Sequence, residues 1–197
     1  MVGTAYDSYT DLTVEPVIPI TGNTITQPSA ANSTFCVSGD PGTIQGNPAG
    51  GGDGNPQYQW QSSVGGAPFG NIPGATGQNY TPPTITATTK FQRVVKSGNC
   101  NTPTTSNQVT ITILPAITNN HLSPPGTTTF CGISTPTIIN GTNPPSGGAG
   151  SGTFQYQWQS STDGTHFTDI SGGANGNDYD APALTQTTYF QRLAKSA

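Results

Sequence analysis

The heptapeptide QYQWQSS occurs twice, at 57–63 and 155–161, placing Trp60 and Trp158 98 residues apart. The match runs well past the heptapeptide. FGNIPGATGQNYTPPTITATTKFQRVVKS (69–97) corresponds to FTDISGGANGNDYDAPALTQTTYFQRLAKS (167–196), with Phe69/Phe167, Ile72/Ile170, Tyr80/Tyr179, Phe91/Phe190 and Arg93/Arg192 in register. Upstream, Phe35-Cys36 answers to Phe130-Cys131, and PITGNTITQPSAANSTFC stands beside PAITNNHLSPPGTTTFC. Self-similarity at a fixed period makes the chain an array of one structural unit. A unit of roughly 95–100 residues has the size of one immunoglobulin-type sandwich.

The frame sets the expected domain limits. Thr10, Leu12 and Val14 before Pro16 align with Val109, Ile111 and Ile113 before Pro115, an alternation that reads as a terminal edge strand. Residues 1–15 are therefore expected to be the last strand of a preceding repeat, or a donor strand. Repeat 1 spans 16–114. Repeat 2 spans 115–197 and stops before a last strand of its own.

Composition fixes the class of each unit. Charged residues make up 7% of the chain, against 26 Gly and 18 Pro, so little material exists for helix faces. Thr and aromatic residues suit pleated strands, and Gly, Pro and Asn suit turns. A disordered chain would share the low aliphatic content, but it would not need aromatics at fixed spacing. The expected strands of repeat 1 lie near 18–25, 42–46, 57–62, 68–72, 79–86, 89–97 and 107–113. Seven strands in this order predict tandem all-β, immunoglobulin-like Greek-key β-sandwiches. Alternation in QYQWQSS sets Trp60 and Trp158 on the face opposite the glutamines, as core anchors.

Charge also restricts partners. Five Lys plus Arg and a net charge of −4 leave no footprint for a phosphate backbone or an anionic lipid surface. No stretch approaches 18 apolar residues, so no membrane insertion by a helix is expected.

The motifs carry a resemblance. Tyr156-Gln157-Trp158-Gln159-Ser160-Ser161, Asp163-Gly164, Ile170, Tyr179 and Thr187-Thr188-Tyr189-Phe190-Gln191-Arg192 form one set. Repeat 1 adds Ile72-Pro73-Gly74-Ala75-Thr76, Tyr80, Arg93-Val94-Val95 and Ser97-Gly98-Asn99-Cys100. Over nearly the whole chain this pattern resembles the immunoglobulin-like tandem repeats of very large secreted surface proteins of the Bacteroidota. The long Gly/Pro loops at 47–56 and 143–153 depart from it, as does GGAPF in repeat 1. The resemblance implies export to the cell surface by type IX secretion. It also implies a role as adhesin, stalk or gliding-motility filament, with neighbouring repeats or filament subunits as partners and no enzyme activity or cofactor. Cys36 and Cys100 match the family's two cysteine positions, which implies a Cys36–Cys100 disulfide formed in an oxidising compartment, while the partner of Cys131 would lie near position 199.

Other chemistry is weakly supported. A sulfur-ligated metal needs clustered Cys or His, which the sequence lacks. His166 stands three residues from Asp163 and from Asp169, and reads as an exposed loop histidine. Asn175, Asn177, Asp178 and Asp180 could offer oxygens to Ca²⁺, but repeat 1 has Gln78 and Thr81 near the matching places, and turn-forming residues explain the cluster. The rival reading is a carbohydrate-binding module for surface polysaccharide, with Tyr80, Tyr179, Tyr189 and Phe69 as candidates if their rings are exposed.

Overall fold

The computed structural model describes residues 18–98, 100–142, 144–172 and 174–196; the expected strand at 1–15 lies outside them, and of Cys100 and Asn101 only the backbone is described. The described chain is nearly all-β, its helical content being one 3₁₀ turn at Ala30–Asn32. Two compact units are present, whose limits do not follow the repeats: one takes in residues 42–82 and 89–110, the other 29–41, 83–88 and 111–196.

Repeat 1 contains β1 (Thr34–Cys36), β2 (Pro56–Val64), β3 (Gly70–Asn71), β4 (Thr89–Ser97), β5 (Cys100–Thr105) and β6 (Val109–Leu114). They form one sheet in the order β1-β6-β4-β2-β3, with β5 also paired to β4. In β4 every second residue is buried: Thr89, Phe91, Arg93, Val95 and Ser97. That period of two follows from the pleat. A second layer is held by short antiparallel bridges, Thr21 to Gly50, Ile25 to Gly46, Gly39 to Ile85 and Ile44 to Tyr80. Pro and Gly interrupt its segments, so the ladders remain brief. Ile25, Ile44, Ile85, Trp60, Phe91, Val95, Val109 and Ile111 are all buried. Tyr80 stacks across this interior, with ring centroids 5.6 Å from Trp60 and 5.9 Å from Phe91.

Two strands lie outside the expected set. β1 pairs parallel to β6, with Cys36 opposite Leu114. β5 forms a hairpin with β4, in which Ser97 is opposite Cys100.

Repeat 2 contains β7 (Leu122–Ser123), β8 (Asn140–Gly141), β9 (Phe154–Ser161), β10 (Thr168–Asp169) and β11 (Tyr189–Ser196). Its main sheet runs β10-β9-β11, and β7 pairs with β8. Bridges join Thr118 to Ser146, Ser134 to Leu184 and Ile139 to Tyr179, reproducing the second layer of repeat 1. Trp158, Tyr179 and Phe190 repeat the aromatic column, at 5.3 and 5.6 Å. Among the described residues no strand pairs with the second edge of β11, and the stretch equivalent to β1, Thr129–Cys131, carries no ladder.

The implied disulfide requires correction. Cys36 sits beside Leu114 at one end of the sheet, where the Thr88 hydroxyl meets the backbone of Ile113. Cys100 sits beside Ser97, at the far end of the nine-residue β4. At the rise of an extended strand the two ends are about 26 Å apart, whereas a disulfide needs Cα atoms within about 7 Å. Cys36 is accordingly a free, exposed cysteine, as is Cys131.

Candidate functional site

The chemistry that both repeats hold in common is an arginine buried against the tryptophan. Arg93 is 0% exposed and Arg192 5%. β4 carries Arg93 inward because it shares a face with Phe91 and Val95. Its Nε donates to Asn23 Oδ1 at 3.1 Å, Nη1 to the Gln78 carbonyl at 2.6 Å and Nη2 to the Asn47 carbonyl at 2.7 Å. The guanidinium lies over the Tyr58 ring, 4.4 Å from its centroid, and 5.9 Å from that of Trp60. Asn23 closes the clasp by donating to the carbonyls of Arg93 and Thr104.

Repeat 2 rebuilds the clasp except at Nη2, which in Arg192 is buried and has no hydrogen-bond partner among the described residues. Arg192 Nε donates to Asn120 Oδ1 at 2.9 Å, Nη1 reaches the Asn177 carbonyl, and Asn120 Nδ2 returns to the Arg192 carbonyl at 2.7 Å. Tyr156 takes the place of Tyr58, at 4.5 Å. The residue before each asparagine is left-handed, Gly22 at φ 71° and Asn119 at φ 61°, a conformation that Gly and Asn tolerate best. Burial lowers both arginine pKa values, and the neighbouring tyrosine works in the opposite direction. Arg93 meets neutral acceptors and ring faces, whereas the Asp178 carboxylate also acts on Arg192 and works against the effect of its burial. Trp60 and Trp158 are each 0% exposed, and their indole N–H groups donate to the Gly77 and Gly176 carbonyls at 2.9 Å.

The remaining candidates resolve into turn chemistry. Asp163 accepts from the backbone N–H groups of Thr165 and His166, from His166 Nδ1 at 2.7 Å and from Ser161 Oγ at 2.8 Å. The His166 bonds lead in holding its carboxyl far below the usual carboxylate range. Both side chains are open to solvent, within a single loop. Asn177 and Asp178 spend their oxygens on Arg192 and on the Gly141 N–H. No group of three His, Cys, Asp or Glu converges among the described residues. Of the proposed sugar-facing rings, Tyr80 and Tyr179 stand in the aromatic columns, Phe69 is half-buried, and Tyr189 is 47% exposed.

Two surface features remain. On the outer face of the repeat 1 sheet, a row of amides runs from Asn71 to Gln61 to Gln92, at 2.8 and 2.7 Å. Asp169, Gln159 and Gln191 repeat it at 2.7 Å each. Gln57, Gln59, Gln61, Asn71 and Lys96 border a groove beside it. The second feature is a groove of about 680 Å³ in repeat 2, lined by apolar side chains such as Phe130, Ile139 and Leu184 and by polar ones such as Thr129, Gln186 and Thr187.

Sequence reasoning missed the arginine clasp because a charged residue reads as surface. The signal was present in TKFQRVVKS, whose alternation places Arg93 among Thr89, Phe91 and Val95.

No helix among the described residues is long and apolar enough to cross a membrane. No curated protein matches the chain. The family described as a domain of unknown function, DUF8696, matches twice, over residues 22–115 and 121–197. The chain belongs to the DUF8696 family, in two successive copies.

Proposed function

We propose that the chain is a non-enzymatic stretch of tandem immunoglobulin-like repeats, serving as stalk or adhesin of a protein or filament exposed on the cell surface. The observation that carries the reading is the duplicated clasp: two units rebuild the same Trp–Tyr–Arg–Asn interior while their loops differ in length and sequence. Selection for beads of one internal design accounts for that. For the fold, support comes from the strand order β1-β6-β4-β2-β3 opposite a layer bridged through 21–25, 39–50 and 80–85. That arrangement fits two sheets linked as in immunoglobulin sandwiches. The low charge fits a weakly interacting shaft.

The test is antibody labelling of intact cells that express the parent protein. Labelling without permeabilisation, lost on protease shaving together with attachment to surfaces, is the expected result. Signal confined to permeabilised cells overturns the reading.

A sugar-binding role is favoured by one observation, the outward amide row, because side-chain amides match the donor and acceptor pattern of hydroxyl-rich polymers. Retention on immobilised polysaccharide that Gln61→Ala and Gln92→Ala abolish would support it; equal retention of both variants would not.

A further inference from the structure

We propose that Asn175 is a site of spontaneous, enzyme-free deamidation, through which repeat 2 alters its own backbone beside Trp158.

Four Asn-Gly or Asp-Gly pairs occur in the chain: Asp53-Gly54, Asn140-Gly141, Asp163-Gly164 and Asn175-Gly176. Glycine has no Cβ to shield its nitrogen, so in such a pair that nitrogen can approach the carbonyl carbon of the preceding side chain. Attack also requires a glycine N–H that is free to give up its proton. In three pairs the N–H is spent. Gly54 donates to the Gly51 carbonyl at 3.2 Å, Gly141 to Asp178 Oδ1 at 2.9 Å and Gly164 to Ser161 Oγ at 3.0 Å. Among the described residues the Gly176 N–H meets no acceptor, and the Asn175 side-chain amide has no partner. Both residues are exposed, so water reaches the bond.

The chemistry balances with water as the one co-reactant. The Gly176 nitrogen bonds to Asn175 Cγ, the Cγ–Nδ2 bond breaks, and ammonia leaves with the proton that the nitrogen gave up. Water then opens the cyclic succinimide. Opening at Cγ leaves aspartate in an ordinary backbone. Opening at the main-chain carbonyl leaves isoaspartate, which routes the chain through the side-chain methylene.

Position gives the change an effect. Trp158 holds the chain on both sides of Asn175, its backbone N–H donating to the Ala174 carbonyl and its indole N–H to the Gly176 carbonyl, at 2.9 Å each. An extra methylene between those carbonyls pulls one of them off Trp158. Asn177, next along, is the residue that Arg192 Nη1 bonds. Repeat 1 sets Thr76 between the carbonyls of Ala75 and Gly77, which Trp60 bonds in the same way, and a threonine cannot form the succinimide. At this turn, ageing is confined to repeat 2.

The test incubates the 197-residue chain in mildly alkaline buffer and follows each pair by peptide mapping with mass spectrometry that separates aspartate from isoaspartate. Conversion at Asn175 should run severalfold ahead of Asn140, with isoaspartate the larger product. In urea, where Gly141 loses its bond to Asp178, the gap should close. In NMR spectra of the ageing chain the Trp158 indole N–H signal should fade in step with isoaspartate while that of Trp60 stays, and neither should change in Asn175→Thr. An Asn175 amide that stays intact, or conversion at Asn140 equal to that at Asn175 in the folded chain, overturns the site. A gap undiminished in urea overturns the role of the fold in choosing it. An unchanged Trp158 signal after full conversion overturns the effect on the interior.

Discussion

Gly46 lies so close to Arg93 that a Cβ on the glycine would overlap Nη1 and the Gln78 carbonyl that Nη1 bonds, and Gly141 stands in the same relation to Arg192 and Asn177. The glycine is fixed by what must fit above it, since a rigid backbone oxygen blocks one side and a three-bond clasp the other. Gly46→Ala should therefore destabilise repeat 1 by about 1–3 kcal/mol, the range of an overpacked interior. Gly141→Ala should do the same in repeat 2. Thermal melts of the two variants check this, and an unchanged midpoint in either contradicts the packing.

Arg93→Lys keeps the charge but loses the planar fork that reaches Asn23, Gln78 and Asn47 together. Buried acceptors left without donors make the expected cost roughly 3 kcal/mol. Urea denaturation reads it. A loss below 0.5 kcal/mol, on the order expected for a surface position, would mean that the clasp contributes little.

Trp60→Ala and Trp158→Ala each remove a fully buried ring and an indole donor. Each should cost about 3–5 kcal/mol. Melting close to that of the parent chain would place the ring outside the interior.

The Asp163 carboxyl titrates below its ordinary value of 3.8. A group depressed in the folded state stabilises at pH above the unfolded value, and that contribution fades as pH falls towards the folded one. The loop at 161–167 should thus keep its hydrogen bonds through pH 4. An NMR titration of the Asp163 side chain follows this directly, and a midpoint in the ordinary carboxylate range would contradict the bonding to Ser161, Thr165 and His166.

Cys36 and Cys131 should both react with a thiol reagent in the native chain, because both are exposed and free. Mass spectrometry of the alkylated protein counts the labels. Protection of Cys36 that reductant reverses would indicate a disulfide to another molecule, since Cys100 lies at the opposite end of β4.

Much of this architecture was legible in the sequence. The strand expected at 89–97 coincides with β4 because TKFQRVVKS alternates without interruption, and the repeat was visible because the aromatic column needs Trp, Tyr and Phe at fixed separations. β1 could not be read: Thr34-Phe35-Cys36 is too short to carry a periodic signal and becomes a strand through its parallel pairing with β6, some 78 residues away. The disulfide was misjudged for a related reason. Linear position relative to strands says nothing about which end of a sheet a residue reaches. The asparagines of the clasp were missed because Asn23 falls inside the strand expected at 18–25, where nothing in the sequence shows that its amide reaches Arg93.

Arg93 is held by carbonyl and amide oxygens and by ring faces, with no carboxylate among its hydrogen-bond partners. Acid cannot discharge these partners, and salt has no exposed ion pair to screen. A bead locked in this way should hold its shape unchanged from fresh water to brine.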